Sequence, residues 1–255
     1  MLAVSLIISA ATTQIKQQEA IRTRAEQEVL RANLLRAVSH DIRTPLTSIV
    51  GASSTLLEHG VQLSEEDCRQ LLGDINEDAH WLVRVVENLL SITRISGQAE
   101  ISKEEELIED VLAESVQKFR KNHNITIDVQ VPQDILLIPM DAILVEQVLL
   151  NLMENSVRHG AATHISMIVE RHKASALVRI QDNGCGISPE KLEHLFDGTH
   201  DNIGSNDGDS KRNMGIGLSV CRSIIRAHGG ELSGRNFESG GAEFVFTLPL
   251  EEQTP

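Results

Sequence analysis

The run Ser39-His40-Asp41-Ile42-Arg43-Thr44-Pro45-Leu46 brings an imidazole, a carboxylate and a hydroxyl within five residues of one another. A neutral imidazole is a nucleophile near pH 7, because one ring nitrogen keeps a free lone pair. A carboxylate beside it can take the proton of the other nitrogen, fix the tautomer and stabilise the positive charge that grows as a bond forms. On a charged helix, however, a His-Asp pair ordinarily just faces water. Pro45 weighs against that plain reading: inside a helix it removes the hydrogen bond to the Asp41 carbonyl and costs about 3 kcal/mol, so a kink there must be compensated or used.

A second group of residues lies in the other half of the chain. Asn151 and Asn155 are four apart in an apolar run, so on a helix both amides project from one face. Further on come Asp182-Asn183-Gly184-Cys185-Gly186-Ile187 and Met214-Gly215-Ile216-Gly217-Leu218, the second opening a helical pattern. Glycines before a helix let backbone amides approach phosphate oxygens at the positive end of the helix dipole. An amide oxygen suits a magnesium ion that bridges phosphates. Together these parts describe one nucleotide site, with Cys185 reading as a small buried residue inside its loop.

The elements that must position these residues follow from periodicity. Leu35, Val38, Ile42, Pro45, Ile49, Ala52 and Leu56 step by three and four, which predicts a long helix from Gln14 to Glu58. His59 and Gly60 stop it, and Ser64 followed by Glu65, Glu66 and Asp67 is an N-cap with acid in the first turn. A second helix to about Ser96 carries Cys68, Leu71, Ile75, Ala79, Leu82, Val86, Leu89 and Thr93 on its seam. Such a hairpin cannot bury its apolar seam alone, and pairing into a four-helix bundle as a homodimer solves that. After Gly97 and Gln98 the pattern shortens: helices at Leu107–Lys121, Asp141–His159 and Gly215–His228, strands at Ile125–Val131, Leu136–Pro139, His164–Arg171, Ala176–Gln181, Glu231–Arg235 and Glu243–Leu248. The expected class is α+β, a long two-helix hairpin followed by an α/β sandwich with helices on one face of a mixed sheet.

Composition narrows the partners. The 255 residues are 41% apolar, enough for a buried core. Lys plus Arg number 23 against 37 Asp plus Glu, leaving a net charge of −14 that argues against nucleic acid. Three distant cysteines form neither a disulfide framework nor a zinc spacing, as expected in a reducing cytosol. The opening MLAVSLIISAA is apolar but far short of the roughly 20 residues that cross a bilayer. With Lys16, Arg22 and Arg24 behind it, residues 1–13 read as the end of a transmembrane helix or an apolar helix start.

Two glycine loops and a two-asparagine helix in this order resemble the Bergerat-type ATPase domain shared by histidine kinases, type II topoisomerases, MutL and the Hsp90 chaperones. The resemblance covers residues 101 to 250. It implies ATP and Mg2+ as cofactors, with Asn155 on the metal, Asn151 and Arg158 near the phosphates, and Asp182 bonding the exocyclic amine of adenine. It implies that Gly184, Gly186 and Ile187 shape the adenine pocket, that Gly215, Gly217 and Leu218 form the phosphate loop, and that His159 lies against the nucleotide. Residues from Asp197 to Asn213, after Phe196, look like the mobile ATP lid of these kinases, although Asn213 stands where the family usually has a further glycine.

The Ser39 to Leu46 stretch is similar to the phosphoacceptor box of bacterial sensor histidine kinases, and it precedes the ATPase domain as theirs does. The implied roles are His40 as phosphoacceptor, Asp41 as its proton acceptor and Thr44 in positioning water for dephosphorylation of a response regulator receiver domain. The implied organisation is 14–98 as the dimerising phosphotransfer hairpin and 99–255 as the catalytic ATP-binding domain, on the cytoplasmic side of a bacterial inner membrane. Ser39-His40-Asp41-Ile42-Arg43-Thr44-Pro45-Leu46-Thr47 and the run from Cys221 to Gly230 resemble potassium-responsive sensor kinases in particular. The alternative is a non-enzymatic, nucleotide-binding dimeric scaffold that docks a regulator.

Overall fold

A computed structural model describes residues 42–59, 62–96, 101–196, 216–237 and 240–251. The apolar start, the helix expected before residue 42, His40, Asp41, the Gly97–Gln98 junction, the stretch 197–213 and Gly215 lie outside the described residues. The chain divides into two compact units, Met1–Val85 and Val86–Pro255.

In the first unit, α1 (42–59) runs through Pro45 without a break. Ile42, Pro45, Ile49, Ala52 and Leu56 are half-buried, as their three-four spacing predicts. Thr47 and Thr55 turn their hydroxyls onto the Arg43 and Gly51 carbonyls at 2.8 and 2.9 Å, which satisfies them inside the helix. Ser64 caps α2 (Glu65–Ser96): its hydroxyl accepts the Asp67 N–H at 3.1 Å and donates to the Asp67 carboxylate at 2.6 Å.

The seam of α2 departs from the expected one. Cys68, Leu71, Ile75, Leu82 and Leu89 are half-buried, but between them Asp78, Trp81 and Val85 are buried while Ala79 and Val86 are exposed. The pattern 68, 71, 75, 78, 82, 85, 89 is an unbroken heptad. Choosing apolar Ala79 over charged Asp78 shifted the reading by one residue. Ala79 and Val86 belong instead to a second stripe with Leu72, Val83 and Leu90, all exposed, matched on α1 by Leu46, Val50 and Leu57.

In the second unit, β2 (Thr126–Gln130), β4 (His164–His172), β5 (Ser175–Asp182), β6 (Leu232–Asn236) and β7 (Ala242–Pro249) form one mixed sheet in the order β2-β4-β5-β7-β6. Only β2 and β4 pair in parallel. Alternate residues point to one buried face, Ile165, Met167 and Val169 on β4, Val178 and Ile180 on β5, Phe244 and Phe246 on β7. The helices α3 (Ile108–Arg120), α4 (Ala142–Arg158) and α6 (Ile216–Ala227) supply the other half of that core, α4 packing between the other two. A separate antiparallel pair, β1 (Glu104–Leu107) with β3 (Leu137–Met140), stands beside it, and the short α5 (Pro189–Glu193) follows the Gly184 loop. The expected elements over 101 to 250 are present, with no end displaced by more than one residue. β1 and α5 were not expected: three glutamates in a row have low strand propensity, and β1 is a strand because β3 pairs with it.

Eight of the seventeen residues of α4 are buried, Leu144, Val148, Leu149 and Leu152 among them, because the helix packs against a neighbour on two sides. Its start is fixed twice. The Asp141 carboxylate accepts the Ile143 and Leu144 amides at 3.1 and 3.2 Å, and the Asp141 N–H donates to His228 Nε2 at 3.0 Å. His228, at the end of α6, uses its other nitrogen on the Ile224 carbonyl at 2.8 Å, so the ring is the neutral Nδ1–H tautomer. One imidazole thus ties the glycine-led helix to the asparagine-bearing one. Cys221 fills the space between them, and burial pushes its thiol up to about 12, which leaves it inert.

Burial holds the His228 imidazole below its ordinary value of 6.5. Its contribution to stability is whole above 6.5, where the unfolded chain is also neutral, and is lost as pH falls from there through the lower value of the folded state. Urea denaturation across this range is expected to show stability falling with pH, and His228→Gln, which keeps an acceptor for Asp141, is expected to flatten part of that slope. An identical slope in both chains removes His228 from this role.

Candidate functional site

Asp182 is the last residue of β5, where a strand end delivers a side chain to the rim of the sheet. Its carboxylate is 7% exposed and held from three sides. Oδ1 accepts the Gly184 N–H at 2.9 Å and the Ala242 N–H at 3.1 Å; Oδ2 accepts the Ser156 hydroxyl at 2.9 Å. A buried carboxylate needs such donors to stay paired, and these leave one lone pair of Oδ2 for a ligand. The loop that follows is closed onto the end of α4: a Cβ on Gly184 would lie 2.2 Å from the Gly160 carbonyl oxygen, and the Cys185 N–H donates to that same carbonyl at 2.8 Å. Cys185 itself is exposed, not buried as its size suggested, because this closure turns it outward.

Asn151 and Asn155 sit one turn apart on α4, but their amides differ. Asn151 is buried and its Nδ2 donates to Asn88 Oδ1 at 3.0 Å, an oxygen that also takes Gln147 Nε2 at 3.2 Å. Asn155 Nδ2 is buried without a hydrogen-bond partner among the described residues, a state that costs about 1–3 kcal/mol unless an acceptor arrives. A phosphate oxygen is such an acceptor, and the amide oxygen is the hard ligand a magnesium ion takes. Among the described residues no group of three or more His, Cys, Asp or Glu could hold a metal.

Arg158 ends α4 and His159 caps it, both exposed. The protein behind His159, then the Arg158 and Lys191 charges, hold its imidazole below the ordinary value, so it is neutral at pH 7. Gly217 and Leu218 lie in the first turn of α6, half-exposed, with open space around Gly217. Phe196 lies under the Arg222 guanidinium, 5.5 Å from ring centroid to Cζ, which ties the residue after α5 to α6. Thr44 is exposed on α1. An apolar groove of about 520 Å³ between α3 and β2, lined by Val116, Ile127 and Val129 among others, contains none of the expected site residues.

Two residues at the site escaped the sequence reading. Ser156 directs the Asp182 carboxylate, and its signal was the one hydroxyl of the helix, directly after Asn155. Asn236, at the end of β6, bonds the Ile187 main chain, and nothing in its neighbourhood marked it.

Residues 30–98 match the His Kinase A (phospho-acceptor) domain family, and residues 140–252 match the family of histidine kinase-, DNA gyrase B- and HSP90-like ATPases. The chain is 43% identical over 241 residues to the sensor protein KdpD of Clostridium acetobutylicum and 33% identical over 236 residues to that of Escherichia coli K12. Each match takes in 92% of this chain and 26% of the relative, so the chain spans about a quarter of their length. It is also 30% identical to the adaptive-response sensory kinase SasA of Microcystis aeruginosa, over 88% of this chain and 60% of that one. In fold it is similar to the histidine kinase ThkA in its complex with the response regulator protein TrrA, with a TM-score of 0.67 at 24% identity over 92% of this chain and 66% of that one. The Acinetobacter baumannii histidine kinase AdeS is similar at 0.62 and 21% identity, over 84% of this chain and 98% of that one. A phosphoacceptor family followed by an ATPase family, on a chain whose relatives over nine-tenths of its length are sensor proteins, has one meaning: the chain belongs to the sensor histidine kinases.

Proposed function

We propose that this chain is the catalytic core of a membrane-anchored sensor kinase of the KdpD type, in which residues 14–98 are the dimerising phosphotransfer hairpin and 99–255 the ATP-binding domain. The observation that carries the reading is the Asp182 carboxylate, buried and held by three donors, one of them Ser156, whose neighbour Asn155 has an amide nitrogen with no acceptor among the described residues.

ATP lies with its exocyclic amine on Asp182 and its phosphates toward Asn155, Asn151, Arg158 and the first turn of α6. For Asn151 to reach a ligand it must leave Asn88. Asn155 would hold a magnesium ion through its amide oxygen, and the ion would supply neutralisation of phosphate charge. His40 attacks the γ-phosphorus as the bond to the bridging oxygen breaks and ADP departs; Asp41 takes the proton from the other ring nitrogen. The phosphoryl group passes next to an aspartate of a response regulator, and Thr44 positions water in the reverse, phosphatase direction. The exposed stripe of Leu46, Val50, Leu57, Leu72, Val83, Val86 and Leu90 supports pairing of two hairpins, since burying each such side chain is worth about 1.5–3 kcal/mol. The membrane anchor rests on residues 1–13; among the described residues no helix is long and apolar enough to cross a membrane.

The test is incubation of the purified chain with γ-labelled ATP and magnesium. A kinase acquires a protein-bound label that is labile to acid and stable to alkali. A nucleotide-binding scaffold acquires none, and that result removes the enzyme reading.

A further inference from the structure

We propose that Asn236 is a positioning residue of the nucleotide site, acting through the main chain of Ile187 to set the adenine-facing loop; this rests on the ATP reading above. Asn236 Oδ1 accepts the Ile187 N–H at 2.8 Å, and Asn236 Nδ2 donates to the Ile187 carbonyl at 2.6 Å. One planar amide therefore engages both polar groups of a single residue. A lone hydrogen bond would leave that segment free to turn about it; two from one rigid group fix its direction as well as its place.

The loop is shaped to receive this clamp. Gly186 has φ +75°, a region where a side chain is strained, and a Cβ there would stand 3.0 Å from Asn236 Oδ1. Asn236 also stands opposite Ala242 in the β6–β7 register, and Ala242 is the residue whose N–H reaches Asp182 Oδ1. One rung of the hairpin thus holds both parts of the pocket, the recognition carboxylate through Ala242 and the loop beyond it through Asn236. From the opposite side Cys185 N–H is fastened to Gly160. No nucleotide contact by Asn236 itself is implied. Only the amide of Asn suits the task at this length: Asp would keep the acceptor for the Ile187 N–H but set a negative charge against the Ile187 carbonyl.

Equilibrium binding of ADP and of inorganic tripolyphosphate, each with magnesium, separates a loop effect from general loosening. For Asn236→Ala the ADP Kd is expected to rise about tenfold, the loss of two hydrogen bonds, while the tripolyphosphate Kd stays within about twofold of wild type. In the labelling assay KM for ATP rises by a similar factor and the rate at saturating ATP changes little. Asn236→Asp gives the same split and serves if the alanine chain fails to fold. An unchanged ADP Kd, or equal losses for both ligands together with a lowered Tm, overturns the proposal. Wild-type chain that binds no ADP overturns the nucleotide reading and this proposal with it.

Discussion

His40→Gln is expected to abolish the acid-labile label while leaving ADP affinity within about twofold of wild type. Glutamine approximates the reach and polarity of histidine but has no nitrogen lone pair available for attack, since its amide nitrogen is conjugated. Phosphoryl transfer gives the protein little covalent work beyond supplying that lone pair in line with the leaving oxygen, so no neighbouring group substitutes for it. The rate of labelling should fall by at least about 10³-fold, the scale seen when a nucleophile is removed and binding remains. Nucleotide affinity is the control that gives the loss its meaning. Asp182, Asn155 and the Gly184 loop all lie in the second unit, and their mutual bonds do not involve the phosphoacceptor helix. Persistent acid-labile label in His40→Gln would place the acceptor elsewhere. Equal loss of label and of ADP binding would mean that the substitution damaged the ATPase unit, against the division of labour proposed for the two halves.

What could be read from the residues and what could not divides along physical lines. α4 was legible from Asp141 to His159 because its apolar residues outnumber any strand-like alternation and a capping aspartate opens it. Asp182 was legible because a strand running into Asn-Gly-Cys-Gly must turn there, and an acid at that point faces a rim. β1 was not, because its three glutamates carry no local preference for a strand and its pairing with β3 bridges some thirty residues of chain. The seam of α2 was obscured at Asp78, because a buried carboxylate interrupts the apolar pattern while keeping the unbroken heptad. Asn236 and Ser156 act through contacts made 49 and 26 residues away along the chain, so no local pattern could assign them. The same holds for Asn151: its spacing from Asn155 was readable, its engagement with Asn88 was not.

Asp182→Asn is expected to lower ADP affinity about 10²-fold with little change in Tm, and to invert the preference between purines. The fold tolerates the change because the amide can satisfy the same neighbours. Its oxygen can accept the Gly184 and Ala242 amides in place of Oδ1, and its NH2 can donate to the Ser156 hydroxyl, which then turns its own proton toward the Leu152 carbonyl 3.3 Å away. The ligand cannot adapt in that way. On the proposed reading the remaining lone pair of Oδ2 accepts a hydrogen bond from the exocyclic amine of adenine, and a hydrogen bond to a charged acceptor is worth roughly 1.5–3 kcal/mol, or about 10- to 150-fold in Kd. After substitution that lone pair is replaced by an N–H aimed at another N–H, so the bond is lost and two donors oppose each other in a buried place. A 6-oxo purine presents an acceptor at the same position and should bind the variant better than wild type, which is the sign that orientation and not mere damage is responsible. Calorimetric titration with ADP and IDP measures both effects in one pair of experiments. If ADP binds Asp182→Asn as it binds wild type, or if IDP weakens in parallel with ADP, Asp182 does not read the adenine edge and the orientation of the nucleotide in this site must be reversed.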